Sequence, residues 1–225
     1  MKTIHLAALV MGALALSAGN TAAQTSPILN IVEVQKLAAS ETPADHARLA
    51  SHFTALADES AGEARRHQTM AQSFGGSPTR QFGATMTAHC NRLAGLNTQA
   101  ETTLRELAAH HAKLAVGASS TVSPKAMPYQ SGKGARVPTD KELSDLAAKA
   151  GTAADHRALM EYFQTTAKRH ASAANDYTRM GQTYRGTKLA AAGFNADRLA
   201  TLSRDAEKEA IAAAKMHEDL AGLAR

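Results

Sequence analysis

The sequence predicts an all-α fold: an elongated antiparallel four-helix bundle made of two duplicated helical hairpins, each preceded by a short helix. Hydrophobic residues make up 44% of the 225 residues, whereas aromatic residues make up only 4% and Trp is absent. The core must therefore be built from Ala, Leu and Met, which suit closely packed helices better than a β-sandwich. Two further observations support the bundle: a long segment occurs twice, and its apolar residues recur with a helical period.

The duplication appears when the chain is shifted by 110 residues against itself. The matched residues include His46 with His156, Phe53 with Phe163, Phe74 with Tyr184 and, after a four-residue gap in the following loop, His111 with His217. Roughly 85 residues are repeated in this way, and two copies are too few for an open solenoid. The repeat therefore favours a bundle with pseudo-two-fold symmetry.

Start and stop signals place the helices along the chain. The predicted ranges are about 28–40 and 140–150 for the short helices, about 43–74 and 79–115 for the first long pair, and about 153–184 and 188–223 for the second. Thr42 and Thr152 are suitable N-cap residues, and Asp45 and Asp155 follow three residues later, where an acid is favoured by the helix dipole. Each long helix, at about 32 residues, is roughly 48 Å in length.

The first 23 residues have the pattern of a cleavable signal peptide. Lys2 supplies a positive charge, an apolar stretch runs from Ile4 to Leu16, and Thr21 and Ala23 are small residues suited to cleavage after Ala23. The apolar stretch is too short to span a bilayer. The sequence therefore predicts a periplasmic or secreted protein without a transmembrane segment.

The remainder is predicted to form one bundle domain from two repeats and a linker. The first helical-hairpin repeat covers 24–115, the linker 116–139 and the second repeat 140–225. The linker contains three prolines, and Lys125, Lys133 and Arg136 without any acid. It is either a connection lying across the bundle or a basic contact for an acidic partner.

Histidines recur on the apolar faces of the long helices. Residues at one level of an antiparallel hairpin have a constant index sum, so His46 should lie level with His111, and His156 with His217. The same argument places His67 level with His89 and Cys90. If the open ends of the two hairpins meet, the four histidines shared by both copies converge at one end of the bundle.

Four converging imidazoles would suit copper or zinc. The main candidate metal ligands are therefore His46, His111, His156 and His217, and the second candidate set is His67, His89 and Cys90, whose nitrogen and sulfur donors suit Cu(I) or Zn. The alternative for the first set is a hydrogen-bonded polar layer that caps the core. The alternative for the second set is a core histidine pair beside a small buried cysteine.

The sequence lacks the motifs of the common enzyme and cofactor classes. It has no Cys-x-x-Cys-His, no Gly-x-Ser-x-Gly and no phosphate-binding loop, so we expect no enzyme activity, no haem and no nucleotide. The net charge of +5 is spread too thinly to indicate nucleic-acid binding. The predicted function is an exported buffer or carrier of copper or zinc. The open alternatives are a metal-free structural or interaction module with an envelope protein partner, and a carrier of a small apolar ligand.

Overall fold

The computed structural model describes residues 28–76, 80–116 and 138–224, and within these ranges every regular element is a helix. The all-α prediction is confirmed. The helices are α1 (Ile31–Ala38), α2 (Pro43–Gly75), α3 (Arg80–Leu114), α4 (Asp140–Lys149), α5 (Ala153–Arg185) and α6 (Ala190–Leu223). The predicted signal peptide, 1–23, and most of the predicted linker, 116–139, lie outside the described residues.

The predicted N-caps start the long helices. The Thr42 hydroxyl accepts a hydrogen bond from the Asp45 amide, and the Thr152 hydroxyl accepts one from the Asp155 amide. At Thr152 the Asp155 carboxylate also accepts from the Thr152 amide at 3.1 Å, which completes a capping box. These local bonds explain why α2 and α5 begin at the predicted residues, Pro43 and Ala153.

The long helices pack in two close pairs that are joined through α3 and α6. α2 packs along α3 and α5 packs along α6, and α3 and α6 are also neighbours. Small residues allow the close approach of α5 to α6: Gly193 lies against the backbone of Gly181, and buried alanines line much of α6. The backbones of α2 and α5, by contrast, come nowhere within 8 Å of each other between Cα atoms.

The short helices cover the wide groove between α2 and α5. α1 contacts both helices and reaches the end of α5 through a hydrogen bond from Gln35 to Thr183. α4 also contacts both, and its Ser144 hydroxyl lies 2.7 Å from that of Ser73 near the end of α2. The short helices therefore lie at opposite ends of this groove.

The core is divided between the two ends of the molecule. One cluster joins the end of α2 and the start of α3 to α4, the start of α5 and the end of α6. The other joins α1, the start of α2 and the end of α3 to the end of α5 and the start of α6. The turn of each long pair therefore lies beside the open end of the other, so the condition for convergence of the four histidines, that the two open ends meet, is not fulfilled.

This inverted packing has a physical reason. Phe74 and Phe82, beside the α2–α3 turn, pack their rings against His217, and Tyr184, beside the α5–α6 turn, packs against His111. Each pair of polar imidazoles is thereby surrounded by aromatic rings. Joining the open ends would instead bury four polar rings in one layer, which is costly without further hydrogen-bond partners.

None of the described helices has both the length and the apolar character needed to cross a membrane.

Candidate functional site

The first histidine pair joins the start of α2 to the end of α3. The Nδ1 atoms of His46 and His111 are 3.2 Å apart, so the predicted level of these residues is confirmed. The Phe53 ring stacks on His111 with a centroid distance of 5.5 Å. The Tyr184 hydroxyl lies 2.7 Å from His111 Nε2. The buried His111 ring therefore has a hydrogen-bond partner at each nitrogen.

The second pair repeats this arrangement between α5 and α6. The Nδ1 atoms of His156 and His217 are also 3.2 Å apart, and Phe163 stacks on His217 at 5.7 Å. Phe82 makes T-shaped ring contacts with both imidazoles. His217 Nε2 is buried and has no hydrogen-bond partner.

The imidazoles of both pairs are neutral near pH 7. Burial lowers the pKa of His111 and of His217 to about 3, and it also lowers the pKa of His46 and of His156. Neutral imidazoles can share an N–H···N hydrogen bond at this distance. Two nitrogens bound to one tetrahedral zinc ion at about 2.0–2.1 Å would be about 3.3–3.4 Å apart, so the same geometry suits a metal.

The four histidines do not converge. Phe53 and Tyr184, which contact His111, belong to one core cluster, and Phe74 and Phe163, which contact His217, belong to the other. The pairs therefore occupy opposite ends of the molecule. Across the ranges that the structure describes, no group of three or more His, Cys, Asp or Glu residues is placed to hold a metal ion. Metal binding by either pair stays a prediction.

The second candidate set is also dispersed. His67 on α2 faces α5, where its ring stacks on Phe163. His89 on α3 bonds to Glu209 of α6, whose carboxylate also accepts from Arg92 at 2.7 Å. Burial raises the pKa of the Cys90 thiol to about 12, so it stays protonated in the core. The index sum predicts the level of a residue along a helix but not the direction in which its side chain points.

Sequence reasoning missed a third polar region, here called the central seam, between the middles of α2 and α5. Its residues are Glu59, Glu63, Arg66 and His67 on α2, and Tyr162, Arg169 and His170 on α5. One oxygen of Glu63 accepts from Arg66 at 2.7 Å and from Arg169 at 2.8 Å. Arg66 also donates to Asp140 of α4 at 2.6 Å. The signal was present in the sequence, because Glu59, Glu63 and His67 are spaced by four and share one helix face.

The central seam contains buried polar atoms without hydrogen-bond partners. They include one oxygen each of Glu59 and Glu63, both nitrogens of His67 and Nε2 of His170. Burial lowers the pKa of His67 and of His170 to about 4 and raises that of Glu59 to about 7. Burial opposes ionisation of Glu63, but Arg169 and Arg66 overcome it and lower the pKa of Glu63 to about 2. The region is therefore an ion-paired contact that spans the gap between α2 and α5.

Two surface cavities bear on the apolar-carrier hypothesis. One, of about 300 Å³, is lined by Glu33, Lys36, Leu37, Ser40, Asp45 and Arg48 on or beside α1 and α2. The other, of about 240 Å³, lies between α5 and α6 beside Ile211 and Lys168. Neither lies between the two long-helix pairs, so neither supports a ligand held in the interior.

The two histidine pairs are the strongest functional candidates, because they place neutral nitrogen donors at a defined separation on well-packed helices. The central seam has more polar groups, but its charges already neutralise one another. Comparisons with protein-family models, with curated proteins and with solved structures found no match for this chain.

Proposed function

We propose that the protein is an exported helical bundle that binds copper or zinc through buried histidine pairs, as a buffer or carrier. The observation that carries the proposal is the 3.2 Å separation of facing Nδ1 atoms in both pairs. Neutral imidazole nitrogens are suitable ligands for both metals. With only two protein nitrogens, the ion would complete its coordination with water or an external ligand, and such an open site favours exchange over permanent storage.

The proposal includes the finer architecture, an elongated four-helix bundle of two duplicated hairpins. Its support is the sequence repeat together with the matching contacts of the two pairs: Phe53 stacks on His111 as Phe163 stacks on His217. Export is proposed from the signal-like pattern of residues 1–23.

A metal-free structural module is the second candidate, and a specific observation favours it. A distance of 3.2 Å between Nδ1 atoms is also that of a direct hydrogen bond. In that case the pairs are polar layers that hold the helix ends together, and function lies in contacts with an envelope partner.

Metal content distinguishes the two candidates. The protein would be purified from cells supplied with copper or zinc, and bound metal would be measured by mass spectrometry for the wild type and for the His46→Ala/His156→Ala variant. His170→Gln is the matched control, because His170 is a partly buried histidine outside both pairs. Metal in the wild type and the control, but not in the double variant, supports the proposal. A wild type that remains metal-free at micromolar copper and zinc contradicts it.

A further inference from the structure

The two histidine pairs are nearly identical in geometry. Ring centroids are 5.3 Å apart for His46 and His111 and 5.5 Å apart for His156 and His217, with interplanar angles of 31° and 37°. A second ring lies beside the inner histidine at 5.8 Å in one pair and 5.9 Å in the other. Any chemical difference between the pairs must therefore come from the identity of the surrounding residues.

The clearest difference is one hydroxyl group. The ring beside His111 is Tyr184, whose hydroxyl reaches His111 Nε2, whereas the matching ring beside His217 is Phe74. His217 Nε2 consequently has no partner, although His217 is fully buried. The repeat aligns Phe74 with Tyr184, so the two positions are equivalent in sequence as well as in space.

The hydroxyl determines where the protons lie in the first pair. The Tyr184 hydroxyl has no other hydrogen-bond partner among the described residues, so it must donate to His111 Nε2 if its own hydrogen is to be satisfied. His111 then carries its proton on Nδ1 and donates it to His46 Nδ1. The proton of His46 is left on Nε2 of a ring that is 6% exposed. The opposite arrangement would bury a hydroxyl hydrogen without an acceptor.

The second pair has no such restriction. Either tautomer of His217 leaves Nε2 without a partner, so nothing holds its proton on Nδ1. A metal that bridges the two Nδ1 atoms requires both imidazoles to carry their protons on Nε2. This rearrangement reverses the Tyr184 hydrogen bond in the first pair, so that His111 Nε2 donates and the buried hydroxyl hydrogen is left without an acceptor. In the second pair it costs no Nε2 hydrogen bond.

We infer that Tyr184 is a positioning residue that closes the His46/His111 pair to metal, so that His156/His217 is the metal-binding pair. This inference rests on the proposed function and narrows it from both pairs to one. The first pair is then a hydrogen-bonded layer that stabilises one end of the molecule, and the second is the site at the other end.

Imidazole tautomers can be read directly by ¹⁵N NMR of the metal-free protein. We expect His111 in the Nδ1–H form in the wild type and in a mixture of forms in Tyr184→Phe. The reciprocal variant, Phe74→Tyr, should move His217 from a mixture to the Nδ1–H form. A wild-type His111 in the Nε2–H form would overturn the inference without any measurement on a variant.

Zinc titration of the same samples tests the consequence for metal. In the wild type, zinc should shift the resonances of His156 and His217 first. Tyr184→Phe should strengthen binding at His46/His111 about tenfold, and Phe74→Tyr should weaken binding at His156/His217 by a similar factor. Zinc that binds first at His46/His111 in the wild type overturns this inference but leaves the proposed function standing. The same holds if neither Tyr184→Phe nor Phe74→Tyr changes zinc binding. Absence of zinc from all three proteins, and of copper in a parallel titration, overturns the proposed function and the metal assignment with it.

Discussion

The histidine pairs at the ends of the molecule and the central seam are both buried and polar, but they are stabilised in different ways. At each end, two neutral imidazoles bond to each other within a layer of aromatic rings. In the central seam, Glu63 is ionised and held by Arg66 and Arg169, while nearby polar atoms have no partner.

Helix spacing explains the difference. The paired histidines lie on α2 and α3, or on α5 and α6, whose backbones pack closely, so short side chains can meet directly. The central seam lies between α2 and α5, whose backbones are further apart, so long charged side chains are needed to span the gap. A wide helix separation thus favours ion pairs, whereas a narrow one favours compact neutral contacts.

Acidification should have the largest effect, because it acts on both regions together. Burial lowers the pKa of His111 and His217 to about 3 and that of His52, His67 and His170 to about 4. Unfolded histidine has a pKa of about 6.5, so the unfolded chain binds more protons below that pH. The contribution of these histidines to stability should be complete above about pH 6.5 and lost as the pH falls towards 4. Melting temperatures followed by circular dichroism from pH 8 to pH 4 measure this loss.

Single substitutions divide the acid effect between the regions. His111→Phe at one end and His67→Phe in the central seam should each reduce the proton uptake on unfolding by about one. His67→Phe should also keep its stability at pH 8, since it removes two unpartnered nitrogens and retains the stack on Phe163. If the melting temperature of the wild type is unchanged between pH 8 and pH 5, the claim that the buried histidines of both regions are neutral is contradicted.

Truncation of the stacking phenylalanines should have the next largest effect on stability. Phe53 and Phe163 are fully buried, and removing such a ring costs about 3–5 kcal/mol of the free energy of unfolding. Phe163 contacts both His217 and His67, whereas Phe53 contacts His111 and His52. Phe163→Ala should therefore be the more destabilising, because it disturbs one end and the central seam together. Urea unfolding measures both values, and a larger loss for Phe53→Ala would contradict this link.

Removal of Arg169 should disturb the central seam alone. Arg169→Met leaves the buried Glu63 carboxylate with Arg66 as its remaining guanidinium partner. We expect the free energy of unfolding to fall by about 2 kcal/mol. This is less than for a fully buried pair, because the Arg169 side chain is 35% exposed. Lys215→Met is the control, since its ion pairs with Glu218 and Asp219 are exposed and surface ion pairs contribute little to stability. Adding Glu63→Gln to Arg169→Met should recover part of the lost free energy of unfolding. If nothing is recovered, the loss in Arg169→Met does not come from the uncompensated charge of Glu63.

Glu59→Gln should have the smallest effect and the opposite sign. Burial raises the pKa of Glu59 to about 7, above its unfolded value of 4.5, so ionised Glu59 destabilises the fold increasingly as the pH rises through this range. The neutral amide should raise the melting temperature at pH 8 and change it less at pH 5. Asp58→Asn, which removes a surface ion pair with Arg105, is the control. Equal effects of Glu59→Gln at both pH values would count against a raised pKa.

Local signals in the sequence determined the helices and the levels of the histidines. Thr42 and Thr152 cap α2 and α5 through bonds that span three residues, so no distant contact is needed to recognise them. The level of His46 with His111 follows from a short turn between two antiparallel helices, which leaves little freedom in their register.

Only the tertiary structure decided how the two long-helix pairs are oriented and which side chains meet between them. An apolar helix face can be buried in either orientation, so periodicity does not distinguish them. The orientation depends on particular long-range contacts, such as Tyr184 with His111 and Phe82 with His217. The same long-range packing separates α2 from α5 and brings Glu63 and Arg169, charged residues on two long helices, together as a partly buried ion pair.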